Sequence, residues 1–517
     1  MTIHQNYYNI ITMQKKSKCK NIMIQGTGSY VGKSIIVAAL CRIFKQDGYR
    51  VAPFKSQNMA LNSFVTKTGG EMGRAQVTQA ECAGIEPTVD MNPVLIKPSS
   101  DVGAQVIVLG KPLGNFDAMG YHKYKPRLLN IIRESFNNLA QQNDIIVIEG
   151  AGSPAEINLR KNDIVNMKAA ELFDSPVILV GDINLGGVFA WLAGTLELLT
   201  PRERNRIKGV IINKFRGDIE ILKPGLRMFE KITNKPVLGV IPYFHNIKIP
   251  EEDSVSFDDL NSARSRDKSS IKIEVLYLPR ISNFTDFDPL EKEPGVILRY
   301  VRPGEKISDP DCLIIPGTKN TIDDLLFLRK YGYADGIIKM SKKNKVIMGI
   351  CGGYQMLGKE INDPHSIETT RKKVKGLGLL PVSTTILKYK VTHQICARDN
   401  VFNSGIIKGY EIHMGESKTL RNSGFCFRIV KQSDKKVNIK DGSVSKSGKI
   451  LGTYIHGLFE NDIFRKKFLE CLVKPEPCFP PLSESYLRCK EKEYDKLADL
   501  VRHNIDLKFI YNLINKS

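Results

Sequence analysis

The chain has 517 residues, enough for two large domains or about three of ordinary size. Hydrophobic residues make up 42% and charged residues 25%, which excludes wholesale disorder, and no apolar run approaches the ~18 residues of a membrane span. Lys plus Arg number 76 against 55 Asp plus Glu, a net charge of +21, yet the cations are spread along the chain and Trp occurs once. A nucleic-acid surface gathers its charge into a stripe with aromatics between, so no nucleic-acid partner is expected. An anionic small substrate, or drift toward lysine on solvated faces, accounts for the charge equally well. The ten cysteines are scattered singly without a CxxC pair, which speaks against a zinc site or a disulfide framework and for a reducing, cytoplasmic setting.

In chain order, residues 1–19 lack the continuous apolar segment of a secretory signal and read as an N-terminal extension. Six apolar, β-branched-rich runs follow: NIMIQ (21–25), RVAPF (50–54), DIIVIEG (144–150), PVILVGD (176–182), KGVIINK (208–214) and PVLGVIP (236–242). Each ends in Gly, Asp, Asn or Pro or precedes a polar loop, as buried strands do. Helical patterns lie between them, the first from Ser34 to Asp47 with Gly48 as its stop. Alternating strands and helices predict a parallel, doubly wound α/β domain over 20–258. Residues 259–270 are charged and serine-rich, a linker. The strand rhythm restarts with IKIEVLYLP (271–279), CLIIPG (312–317), KVIMGIC (345–351) and LGTYIH (451–456), predicting a second α/β domain over 271–475. Within the remaining 476–517, prolines give way to a charged helical stretch over 484–515.

Between the first strand and the first helix stands GTGSYVGKS (26–34), a glycine-rich phosphate loop one residue longer than the common G-x4-G-K-S/T spacing. Gly26, Thr27 and Gly32 line the cradle, Lys33 reaches toward β- and γ-phosphates, and the Ser34 hydroxyl suits Mg²⁺. A phosphoryl-transfer site also needs a carboxylate at the end of a neighbouring strand, and Glu149 ends a fully apolar one. Glu156, Asp163, Asp182 and Asn213 fall at the same sheet edge, where open α/β sheets bind ligands. In the second half, Gly349-x-Cys351-x-Gly353 follows a strand directly, the pattern of a nucleophile elbow. His456 ends another apolar strand and is the candidate base, with His413 its rival. Gly317, in the turn of IIPGTKNT, is a candidate oxyanion-hole donor.

These motifs, together with PFKSQNMALNS (53–63), GGEMGRAQ (69–76), MNPVLIKP (91–98), EGAGSPAEINL (149–159), ISNFTDFDPL (281–290), GICGGYQMLG (349–358), GYEIHMGE (409–416) and GTYIHGLF (452–459), resemble the cobyric acid synthase family. That family comprises the glutamine-hydrolysing amidotransferases of cobalamin biosynthesis, and the resemblance spans residues ~20 to ~470. It implies a dethiobiotin-synthetase-like phosphate-loop domain followed by a class I glutamine amidotransferase domain. It also implies amidation of the b, d, e and g carboxylates of adenosylcobyrinic acid a,c-diamide with glutamine, ATP and Mg²⁺, without a prosthetic group. On the matching positions, Lys33 and Ser34 would bind phosphate and Mg²⁺, Glu149 would bind Mg²⁺, Asn213 would sit near the adenine and Asp163 would be an active-site carboxylate. Cys351 and His456 would hydrolyse glutamine. The glutamate usual two positions after the histidine is Leu458 here, and Glu460 lies four on, so the resemblance suggests that a Cys–His pair suffices. Two alternatives differ in class or substrate. A phosphate-loop switch ATPase would have no use for Cys351 and His456, and an a,c-diamide synthase would not be expected to carry SQNMALNS.

Overall fold

The computed structural model describes residues 19–98, 103–244, 247, 249, 270–420, 423–472 and 485–516. The extension up to residue 18, the linker up to 269 and the proline-rich stretch over 475–484 lie outside the described residues.

All six strands expected in the first half form one parallel sheet. Their spatial order is Val237–Pro242, Ile207–Phe215, Val177–Asp182, Lys20–Gly26, Ile145–Glu149 and Val51–Phe54. Strands such as Ile145–Glu149 are buried along their whole length, which is why they read as unbroken apolar runs rather than alternating ones. The chain starts in the middle at Lys20–Gly26 and extends the sheet first to one side and then to the other. That reversal opens a crevice at the carboxyl end of the first strand, directly over the phosphate loop. A four-stranded sheet also forms, from Gln57–Met59, Val94–Pro98, Gly103–Val108 and Lys111–Asp117. Its strands are short and partly polar and gave no periodic signal.

The second half holds a sheet ordered Val296–Val301, Ile271–Leu276, Cys312–Ile315, Val346–Ile350, Ile450–Thr453 and a short antiparallel edge at Ser443–Val444. Val296–Val301 escapes the sequence pattern because only three of its residues are fully buried and an arginine interrupts it. So does the long antiparallel pair Val382–Asp399 and Ile406–Thr419, rich in charged and hydroxyl side chains. These two strands reach across to the first half: Thr392 donates through Oγ1 to the Gly69 carbonyl at 2.7 Å.

The charged stretch at the C-terminus forms two helices, Tyr486–Asn504 and Leu507–Lys516, which return to the first domain. Tyr494, Leu497, Val501, Ile510 and Ile514 join one core with Ile36, Leu40 and Val180. Arg42, on the helix Lys33–Gln46, meets Glu491 and Asp495 at 2.8 Å each. A parallel sheet must be covered on both faces, and here part of that cover comes from the far end of the chain.

Candidate active site

The phosphate loop passes from its strand into the helix Lys33–Gln46 through Gly32, at φ 99°. That left-handed backbone suits glycine, and a Cβ there would lie 2.0 Å from Asn213 Nδ2. Asn213 donates through that nitrogen to the Val31 carbonyl at 2.9 Å, so it clamps the loop from Ile207–Phe215, the second strand over from Lys20–Gly26. A Cβ on Gly26 would lie 2.5 Å from Val31 Cγ2, whereas Gly28 has open space. Thr27 ties its N–H to the Val180 carbonyl at 2.9 Å, while its buried hydroxyl meets no hydrogen-bond partner among the described residues. Lys33 curls back over the loop, donating to the carbonyls of Gly28 at 2.6 Å and Gly152 at 3.2 Å.

Glu149 is fully buried at the end of its strand and accepts from three side chains. Ser34 Oγ and Lys55 Nζ each reach Oε1 at 2.8 Å, and Gln79 Nε2 reaches Oε2 at 2.5 Å. Burial pushes its pKa up, but Lys55 and these hydrogen bonds win and hold the carboxyl below its ordinary range. On the other flank, Asp182 meets Lys214 at 2.8 Å. Asp163 accepts from the main-chain N–H groups of Val165, Asn166 and Lys168 at 2.8–3.0 Å, so its first task is to shape the turn into the helix Met167–Leu172. Lys33, Glu149, Glu156, Asp163 and Asn213 all line one cavity of about 1160 Å³, ringed by Lys125, Arg160, Lys161, Lys168, Arg202 and Arg206. That exceeds the ~300–1,000 Å³ of an ordinary ligand pocket. Lys55, Gln57, Asn58 and Met59 of the PFKSQNMALNS loop line it too, whereas Asn62 and Ser63 turn to the second half.

Cys351 sits at φ 51°, ψ −107°, a strained conformation for a residue with a Cβ, between the strand Val346–Ile350 and the helix Gly352–Leu357. The glycines around it are steric necessities: a Cβ on Gly353 would lie 2.0 Å from the Ile315 carbonyl oxygen, and one on Gly349 2.6 Å from Gly353. The Cys351 N–H donates to the Thr453 carbonyl at 2.8 Å, tying the elbow to the strand that leads to His456. His456 is buried with Nδ1 2.6 Å from Asp286 Oδ2, and the Gly457 N–H donates to Asp286 Oδ1 at 2.9 Å. Burial alone lowers the imidazole pKa, but Asp286 and then Cys351 outweigh it and raise it to about 10. The other ring nitrogen, Nε2, has no conventional hydrogen-bond partner among the described residues. Gly317 lies against the ring, where a Cβ would sit 3.2 Å from His456 Cε1. His413 is not equivalent: its Nδ1 pairs with the Gly415 carbonyl at 2.8 Å and Glu411 stands 3.9 Å from Nε2. Cys351 opens onto a cavity of about 410 Å³ walled by both halves, with Lys97, Gln105 and Phe116 from the first and Lys319, Gln355 and Glu368 from the second.

A sequence profile described as the CobQ/CobB/MinD/ParA nucleotide binding domain matches residues 22–257, and one described as the CobB/CobQ-like glutamine amidotransferase domain matches 272–464. A cobyric acid synthase of Thermoanaerobacter sp. (strain X514) is 55% identical over 505 residues, covering 96% of this chain and 99% of that protein. The cobyric acid synthases of Caldanaerobacter subterraneus subsp. tengcongensis and Clostridium botulinum (strain Kyoto / Type A2) are each 53% identical, covering 96% and 95% of this chain and 98% and 99% of their own. The chain belongs to the cobyric acid synthase family. As a member of that family it is a glutamine-hydrolysing ligase with a nucleotide-binding half and an amidotransferase half.

Within this cobyric acid synthase framework one expectation is corrected. The histidine is not left in a bare Cys–His pair, because Asp286 takes the place opposite Nδ1. Leu458 is buried in the core, and Glu460 is directed to Arg74, 3.6 Å away, not to His456. Asp286 stood inside ISNFTDFDPL without an assigned role; an acid in a turn beyond a strand of the same sheet was the available signal. Lys55 and Gln79 were missed as well, since nothing in their spacing points to Glu149.

Proposed function

We propose that the chain uses ATP and glutamine to amidate the b, d, e and g carboxylates of adenosylcobyrinic acid a,c-diamide through acyl phosphates. What supports this is the presence, in one chain, of a phosphate loop facing a buried ionised Glu149 and of Cys351, which lines a cavity walled by both halves and interacts with a buried His456–Asp286 pair. Cys351 Sγ attacks the carboxamide carbon of glutamine after His456 takes the thiol proton. The same imidazolium then gives that proton to the leaving nitrogen, releasing ammonia and a glutamyl thioester that water hydrolyses. Asp286 fixes the ring and stabilises its charged form, and Gly317, beside the ring, is the candidate to offer its N–H to the developing oxyanion.

In the larger cavity a corrinoid carboxylate attacks the γ-phosphorus of ATP and ADP departs. Ammonia then attacks the acyl carbon and phosphate leaves. Lys33 balances charge on the phosphates, Asn213 holds the loop on the base side, and Asp163 faces the reacting end with lone pairs to spare. Ser34 and Glu149 are hard oxygen donors at a spot that already draws the Lys55 ammonium, a set suited to Mg²⁺. When bound, Mg²⁺ neutralises charge on the phosphates. The cations around the cavity, of which Arg160, Lys168, Arg202 and Arg206 are paired with Glu203, Glu171 or Asp174, leave a basic rim at Lys125 and Lys161 that suits a substrate carrying carboxylates. Ammonium is not a nucleophile, so the nitrogen travels inside the protein from the shared cavity. All nine described cysteines are free, in keeping with a cytoplasmic enzyme, and no described helix is long and apolar enough to cross a membrane.

Mass spectrometry of the corrinoid after incubation with ATP, Mg²⁺ and glutamine tests this. Four successive conversions of carboxylate to carboxamide are expected, with partly amidated intermediates free in solution under limiting enzyme. ATP turnover with the corrinoid unchanged would overturn the substrate assignment.

A further inference from the structure

The loop that lines the phosphate cavity also touches the turn that carries the triad acid. From Lys55 to Met59 it borders the large cavity, and three residues later it enters a buried polar junction with the second half. There the Phe284 N–H donates to Asn62 Oδ1 at 3.1 Å, and the Ser63 N–H donates to Asn283 Oδ1 at 3.3 Å. Asn283 Nδ2 donates to the Tyr410 hydroxyl at 3.0 Å, which in turn donates to the Ser63 carbonyl at 3.4 Å. The Tyr410 ring stacks on the His456 imidazole, with centroids 5.3 Å apart and planes 17° apart. Asn283 adopts φ 55°, the left-handed region that asparagine enters more readily than other residues with a side chain. Asn62, Ser63, Asn283, Tyr410, Asp286 and His456 are all buried. Asp286 lies two residues beyond Phe284, in the turn Phe284–Phe287 that starts from Asn283.

We infer that Asn62 and Asn283 are positioning residues of the glutaminase: the first half holds the turn that presents Asp286 to His456, so the synthetase loop sets the aim of the triad. The clamp has two levels. Asn62 accepts from the Phe284 N–H and Ser63 donates to the Asn283 side chain, and the Tyr410 ring, tethered to Asn283 and Ser63, covers the face of the imidazole. A shift of the 55–63 loop on filling the large cavity would therefore move the acid and the stacking ring together. The inference rests on the assignment of glutamine hydrolysis to Cys351, not on the identity of the corrinoid.

The test uses the full-length enzyme with Asn62→Ala, Asn62→Asp and Asn283→Gly, the last keeping the left-handed backbone accessible. Glutamate release, glutamine-driven synthesis and ammonia-driven synthesis are measured separately, the first across pH. For Asn62→Ala and Asn283→Gly, ammonia-driven synthesis should stay within about twofold while glutamate release falls tenfold or more, in kcat more than in KM. The alkaline limb of glutamate release should also move to lower pH, because Asp286 no longer holds the imidazolium. Asn62→Asp keeps an acceptor for the Phe284 N–H and should recover most of the loss. Unchanged glutamate release, or equal loss of glutamine- and ammonia-driven synthesis, would overturn the inference. Wild-type enzyme that releases glutamate but amidates no corrinoid would instead defeat the substrate assignment and leave the positioning roles standing.

Discussion

Asp286 and His456 are 170 positions apart in the chain and 2.6 Å apart in the fold. The contact joins the turn Phe284–Phe287, which follows the inner strand Ile271–Leu276, to the histidine just past the strand Ile450–Thr453. It places an acid behind the imidazole that interacts with Cys351.

Asp286→Asn should therefore cut glutamate release by about 10²–10⁴-fold while leaving ammonia-driven synthesis intact. The amide cannot stabilise the imidazolium, so the His456 pKa falls from about 10 and the alkaline limb of activity moves down with it. The stability sign follows the same shift. A histidine with a raised folded-state pKa contributes stability fully below its unfolded value near ~6.5, and the contribution is lost as pH rises through about 10. Thermal denaturation should show wild type above the variant at pH 7, with the gap closing toward pH 10.

Cys351→Ser is expected to abolish glutamine use and keep synthesis from ammonia, and His456→Ala to behave alike. Product formation with each nitrogen source decides it. A folded Cys351→Ser enzyme without ammonia-driven activity would show that the two halves do not divide the labour.

Lys33→Ala and Glu149→Gln should each depress synthesis from either nitrogen source by about 10²–10³-fold, since each removes charge at a developing phosphoryl transition state. Rates within twofold of wild type would exclude the roles given them.

Lys55→Ala strips a buried carboxylate of its cation and should destabilise the first domain by about 3–5 kcal/mol. Because Glu149 then lacks a cation, added Mg²⁺ and ATP should raise the melting temperature of Lys55→Ala more than that of wild type. Equal increments would show that Glu149 is not the metal's carboxylate.

Leu497→Ala, in the helix Tyr486–Asn504, should cost about 2–5 kcal/mol, the range for emptying a fully buried leucine site. A denaturant midpoint unchanged from wild type would mean that the C-terminal helices are dispensable to the first domain.

Chemistry written into short stretches of chain was legible in the sequence. A phosphate loop is one strand, one turn and one helix start, and a nucleophile elbow is a cysteine among glycines. In each, the residues that build the site are also neighbours in sequence, and steric needs leave their mark as glycines at Gly26, Gly32, Gly349 and Gly353. Fully buried parallel strands were legible for a similar reason, because burial on both faces demands an unbroken apolar run. What only the tertiary structure decided were the contacts made between segments far apart. Asp286 became the partner of His456, Lys55 and Gln79 gathered on Glu149, Asn62 met Phe284, and the C-terminal helices closed over the first sheet. Such pairings depend on strand order and on where each turn lands at the sheet edge. A lone carboxylate or amide in a turn has the same local pattern whether it faces solvent or completes a site.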